Sequence, residues 1–143
     1  MPSAANPWLL FALGSAFFAA LTAIFGKLGV AEINPTLATL IRTAIILLML
    51  LCVVSASHAW QPMGQMSRAG VTALVLSALA TGASWLCYYK ALSLGPASRV
   101  APIDKLSVAL VIFFSVLFLG EKLSWKLFAG SVLITAGAIV VAS

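Results

Sequence analysis

Asp104 and Lys105 are neighbours inside an apolar stretch, residues 97–119, that reads as a single membrane span. A charge at membrane depth costs roughly 2.5–3.5 kcal/mol on insertion scales, so it persists where it is paired, hydrated or useful. Residues one apart on a helix do not face each other, so each of these two is expected to need a partner elsewhere. Arg42, two turns into another apolar run, raises the same question. Lys27, Arg42, Lys90 and Arg99 all fall towards one end of the spans, with only Glu32 and Asp104 to oppose them there. If these side chains converge, they make a positive, partly desolvated vestibule suited to an anionic or carboxylate-bearing solute. If they do not, Lys27, Lys90 and Arg99 simply extend to lipid headgroups. Trp85 and Tyr88 are three apart and so share roughly one helix face. They offer either a stacking surface beside Lys90 or part of an interfacial aromatic belt. The candidate substrate-binding set is thus Arg42, Trp85, Tyr88, Lys90, Asp104 and Lys105.

The elements that must position these residues are all membrane helices. Of the 143 residues, 63% are hydrophobic and 8% charged, against about 25% charged in soluble domains. The apolar residues come in runs long enough to cross a bilayer, for which about 17–25 residues suffice. Five spans are expected, at 7–25, 35–54, 70–89, 97–119 and 124–142, within one domain covering 1–143. The fold class is therefore an all-α integral membrane protein, a bundle of five transmembrane helices. Pro7 suits a first helical turn, and Asn34-Pro35 supplies a cap followed by a first-turn proline. Turn residues separate the remaining spans: Gly26 and Gly29, Gly95-Pro96 and Gly120. Trp8, Trp60 and Trp125 fall on one face of the membrane, as interfacial anchors do. In the fourth span Pro102 frees the carbonyl of Ser98. A helix continuous from Ala97 puts Asp104 about 10 Å along it. A helix beginning at Pro102 puts Asp104 in its first turn, favoured by the helix dipole.

Charge excludes some functions. The net charge is +5, but the basic residues are scattered singly, so no nucleic-acid partner is expected. No basic run precedes Trp8, so a removable signal segment is not expected. The lone histidine, His58, has no acid in its loop, and no metal-ligand spacing or nucleophile constellation occurs. The chain is not read as an enzyme, and neither cofactor nor metal is implied. Cys52 and Cys87 lie towards opposite ends of their spans and are expected to be buried apolar thiols.

An odd number of spans places the termini on opposite sides. Lys and Arg in cytoplasmic loops set orientation, yet three (Arg68, Lys122, Lys126) fall on one side and three (Lys27, Lys90, Arg99) on the other. Either a partner fixes the orientation, or the chain inserts both ways and pairs as an antiparallel homodimer. The second arrangement would build from one short chain the inverted symmetry that many transporters build from two halves. Small-residue ridges at Ala12/Ala16/Ala20, Ser15/Ala19/Ala23, Ala78/Gly82 and Gly130/Gly137 would serve helix packing, within a chain or between chains.

The run from Tyr88 through Lys90, Ala91-Leu-Ser-Leu-Gly-Pro-Ala-Ser98 and Pro102-Ile-Asp-Lys-Leu-Ser107, then Phe118-Leu-Gly-Glu-Lys-Leu-Ser-Trp125, closely resembles the EamA domain of the drug/metabolite transporter superfamily. Gly130, Gly137 and the Lys27-bearing first hairpin extend the resemblance over nearly the whole chain. Members commonly carry two such five-helix units, inverted relative to each other, and this chain resembles the single-unit kind. The resemblance implies a small-solute carrier or exporter with its pathway between the helices, in the inner (cytoplasmic) membrane of a bacterium or archaeon. It does not imply a substrate. Small multidrug resistance proteins differ by an acid within the first helix, which 7–25 lacks here. Asp104 is then the acid placed to carry a proton in step with transport, while Glu121 is read as a local partner of Lys122 or Lys126. The competing reading is a non-transporting membrane subunit of a larger complex, such as a lipid-translocation assembly.

Overall fold

The computed structural model describes residues 7–143, with Met63 described by its backbone alone. The helices are α1 (Pro7–Glu32), α2 (Pro35–Ala56), α3 (Arg68–Leu94), α4 (Ala97–Asp104), α5 (Leu106–Leu119) and α6 (Trp125–Ala142), with a single 3₁₀ turn at Met63–Gln65. No strand occurs among the described residues. Counting α4 and α5 as one span, Ala97–Leu119, five helices among the described residues are long and apolar enough to cross a membrane.

Helix starts follow local side-chain chemistry. Asn34 Oδ1 accepts from the amides of Thr36 and Leu37, at 2.9 and 3.4 Å, and caps α2. Ser67 Oγ accepts from Gly70 N at 3.0 Å at the head of α3, and Ser124 Oγ from Leu127 N at 3.2 Å at the head of α6. Each satisfies an amide that the first helical turn leaves without a partner. Helix ends run past the apolar runs that define the spans. α1 continues through Lys27 to Glu32, and α3 through Lys90 to Leu94. At 26 and 27 residues these helices exceed the ~20 a hydrocarbon core needs.

The described chain divides into two compact units, Leu28–Ser93 and a second made of residues 7–27 with Leu94–Ser143. In the second unit α6 packs on both α4 and α5. Its covered face is Ser131, Thr135, Ala138 and Ala142, with Ala138 fully inside. These small side chains recur at helical spacing and let the backbones approach. Gly130 is half-buried and Gly137 exposed. The Ala12, Ala16 and Ala20 ridge of α1 is exposed as well.

Most large apolar side chains point outward, among them Phe11, Phe18, Leu74, Phe118 and Val140. In water such a surface would aggregate; in a bilayer it is the solvated one. The same inversion corrects the reading of the thiols, since Cys52 and Cys87 are both free and exposed.

Candidate functional site

Each unit carries one charged arrangement. In Leu28–Ser93 the centre is Arg42, about 12 Å along α2 from Asn34 at 1.5 Å per residue. Its guanidinium carbon lies 4.1 Å from the centroid of the Trp85 ring and 5.5 Å from that of Tyr89. Trp85 and Tyr89 are four apart on α3, so their rings stack on one face. The negative faces of two aromatic rings therefore attract the cation where a carboxylate might have done so. No carboxylate among the described residues pairs with Arg42, and its Nη1 is buried with no hydrogen-bond partner there. A buried donor in that state favours any acceptor that can reach it.

Tyr89 is the residue that sequence reasoning missed. Trp85 and Tyr88 were paired at a spacing of three, yet Tyr89, at four, covers Arg42 and is almost wholly buried. Tyr88 is half-buried, and its ring meets Tyr89 edge-on at 6.2 Å. Lys90 is exposed. The identities were visible in the sequence; which neighbour faced α2 depended on the approach of the helices.

Beside these rings runs an open groove of about 940 Å³ between the first turns of α2 and the middle of α3. Trp85 lines it, as do Thr39 and Thr43 from α2 and Ser77 and Thr81 from α3.

In the other unit the centre is the break in the fourth span. α4 starts at Ala97, includes Pro102 and stops at Asp104, and α5 restarts at Leu106. The helix starts at Ala97 and runs through Pro102 to Asp104, as the first of the two expected starts has it, and is interrupted only at Lys105. Lys105 has φ −72° and ψ −7°, off the helical ψ near −42°. Two short-range bonds tighten the turn: Lys105 N to Pro102 O at 3.1 Å and Val108 N to Lys105 O at 3.0 Å. The break also corrects the expectation that Asp104 and Lys105 need separate partners. Lys105 Nζ lies 3.3 Å from Asp104 Oδ2. Their side chains are 36% and 55% exposed, respectively, so the pair remains reachable from outside the chain.

Lys27 is neither at a helix end nor simply extended to headgroups. Its Nζ donates to Gly95 O at 2.9 Å, tying α1 to the turn before α4. Arg99 is exposed.

The family model for the EamA-like transporter family matches residues 6–143. The chain belongs to that family. A protein of Sinorhizobium sp named "Uncharacterized transporter in cobO 3'region" is 53% identical over 135 residues, covering 94% of this chain and 96% of the relative. No solved structure matches.

Membership in the EamA-like family makes this a multi-pass membrane protein of a transporter family rather than of an enzyme family. For a chain of that kind, the two arrangements differ in what they can do. Arg42 presents a cation ready for an anion. Asp104 and Lys105 present an ion pair that must open before either partner can bind something else.

Proposed function

We propose that the chain is a small-solute transporter or exporter that works by alternating access, as an antiparallel homodimer, and prefers anionic or carboxylate-bearing solutes. The observation that carries this reading is the break in the fourth span at Asp104 and Lys105. Transporters commonly build substrate and coupling-ion sites from discontinuous helices, whose half-helix ends and freed carbonyls face the pathway. The uncompensated charge of Arg42 supports the anion preference. The even split of basic residues between the two sides supports insertion in both orientations. The proposed substrate-binding residues are Arg42, Trp85, Tyr88 and Lys90 in Leu28–Ser93, and Asp104 and Lys105 in the other unit. An α-helical build supports the inner membrane as the location, since outer-membrane spans are β-barrels.

The test has two parts. Alkaline phosphatase and a fluorescent protein, fused separately to Ser143, both become active if the chain inserts in two orientations. Activity from one fusion alone would exclude the antiparallel homodimer. Purified protein in liposomes then takes up radiolabelled organic anions by counterflow with no other protein present. A chain that is active only beside a second membrane protein would instead be a subunit of a larger assembly. The Asp104→Asn variant loses its response to an imposed pH gradient. A retained pH response would remove Asp104 from proton coupling.

A further inference from the structure

The groove in the Leu28–Ser93 unit has walls of unusual chemistry for its size. Several of its hydroxyl protons are already engaged by the helix that bears them: Thr39 Oγ1 donates to Pro35 O at 2.8 Å, Thr43 Oγ1 to Thr39 O at 2.7 Å, and Thr81 Oγ1 to Ser77 O at 2.9 Å. A threonine in that state offers an occupant an oxygen lone pair and a methyl group, but no donor. Leu37, Leu40, Leu74 and Leu86 supply exposed apolar surface along the same walls. Asn34, Thr36 and Ser77 add polar groups, but most of the lining surface is apolar, which suits a sugar or a phosphate poorly. Arg42 does not itself line the groove, but it stacks on the Trp85 ring that does, with no carboxylate partner among the described residues and with Nη1 buried and unpartnered. A guanidinium presents a planar fork of N–H groups that matches a carboxylate.

We propose that this groove takes the apolar body of an organic monocarboxylate whose carboxylate is received by Arg42. The inference rests on the transporter reading and narrows its substrate class from anions in general to amphipathic carboxylates. Charge complementarity selects this occupant over others. A lipid tail brings no acceptor to Nη1, and a helix from a second copy brings one only if an acid of that copy reaches Arg42. The volume of 940 Å³ lies near the upper end of the ~300–1,000 Å³ usual for small-molecule sites.

The test uses full-length protein in nanodiscs with radiolabelled 3-phenylpropanoate as the probe. Three competitors vary one property each: 3-phenylpropanamide removes the charge, glucuronate makes the body polar, and inorganic phosphate removes the body. The amide and glucuronate are expected to bind at least about tenfold more weakly than the probe, the scale of one lost strong interaction. Phosphate is expected not to compete. The Ala78→Phe variant, which fills the groove from α3, is expected to weaken the probe by a similar factor. The ligand comparison on unaltered protein stands whether or not that variant folds.

Glucuronate or phosphate binding as tightly as the probe would overturn the apolar body while leaving anion transport intact. An amide binding as tightly as the acid would overturn the role of Arg42. Absence of probe binding, with Ala78→Phe converting dimers to monomers, would assign the groove to a second copy and overturn the inference. Probe binding without any uptake in liposomes would count against the transporter reading alone.

Discussion

The two units solve the problem of charge in an apolar setting in opposite ways. In Leu28–Ser93 a single cation is covered by the faces of two aromatic rings and has no acid beside it. In the other unit an acid and a base neutralise each other across a broken helix and remain exposed. The first arrangement leaves a full positive charge without a counter-ion among the described residues. The second is electrically closed until something opens it. Net charge around a candidate site therefore says less than the identity of each charge's partner.

Uptake measurements should break this comparison most clearly. Arg42→Gln is expected to lower organic-anion uptake about 100-fold, the scale for removing one member of a desolvated charge pair. Lys105→Gln, which leaves Arg42 in place, is expected to cost less than about tenfold. Equal losses in liposome assays would mean that both cations meet the solute alike.

A smaller effect distinguishes the two rings. Trp85→Leu removes the nearer ring and is expected to weaken anion binding by about 1–2 kcal/mol. Tyr89→Leu removes the farther one and should cost about half of that. Affinity titrations in nanodiscs give the order, and a larger loss at Tyr89 would mean that its burial matters more than its contact with Arg42.

For the ion pair, a double-mutant cycle is the direct measure. Asp104→Asn, Lys105→Gln and the double variant, melted in the same detergent, should give a coupling of about 0.2–1 kcal/mol. A coupling several times larger would mean that the pair is shielded in the membrane.

The smallest effect lies at the helix ends. Gly120 ends α5 with φ 69°, where glycine carries no steric penalty, but His58 follows α2 at φ 52°. Ala59 N donates to Val54 O at 3.1 Å, so His58 occupies the left-handed position of a Schellman turn. His58→Gly is expected to raise stability by about 0.5 kcal/mol, the steric relief less the entropy of glycine. A lower melting temperature would show that the imidazole makes a compensating contact.

What could be read from the sequence was local. The helix start at Asn34-Pro35 and the restart at Ser124 depend on side chains two or three residues away, and the apolar runs announce the spans themselves. What escaped depends on distant partners or on turn geometry. Lys27 looked like a helix end because the acceptor that draws it in, Gly95 O, is remote in sequence. Pro102 signalled a disturbance, but the interruption falls at Lys105, where the shortened turn puts it. Tyr89 was hidden by the choice between spacings of three and four, which only the approach of α2 to α3 decides.

The bond from Lys27 to Gly95 joins residues 68 positions apart. At ~5–20 residues per second, translation takes roughly 3–14 s to produce the acceptor after the donor. Throughout that interval Leu28–Ser93 is emerging, while the unit that contains Lys27 lacks its larger part. The chain therefore has a built-in order of synthesis: Leu28–Ser93 is complete first, and the unit that contains Lys27 gains its partner for that residue only when the ribosome has passed Gly95.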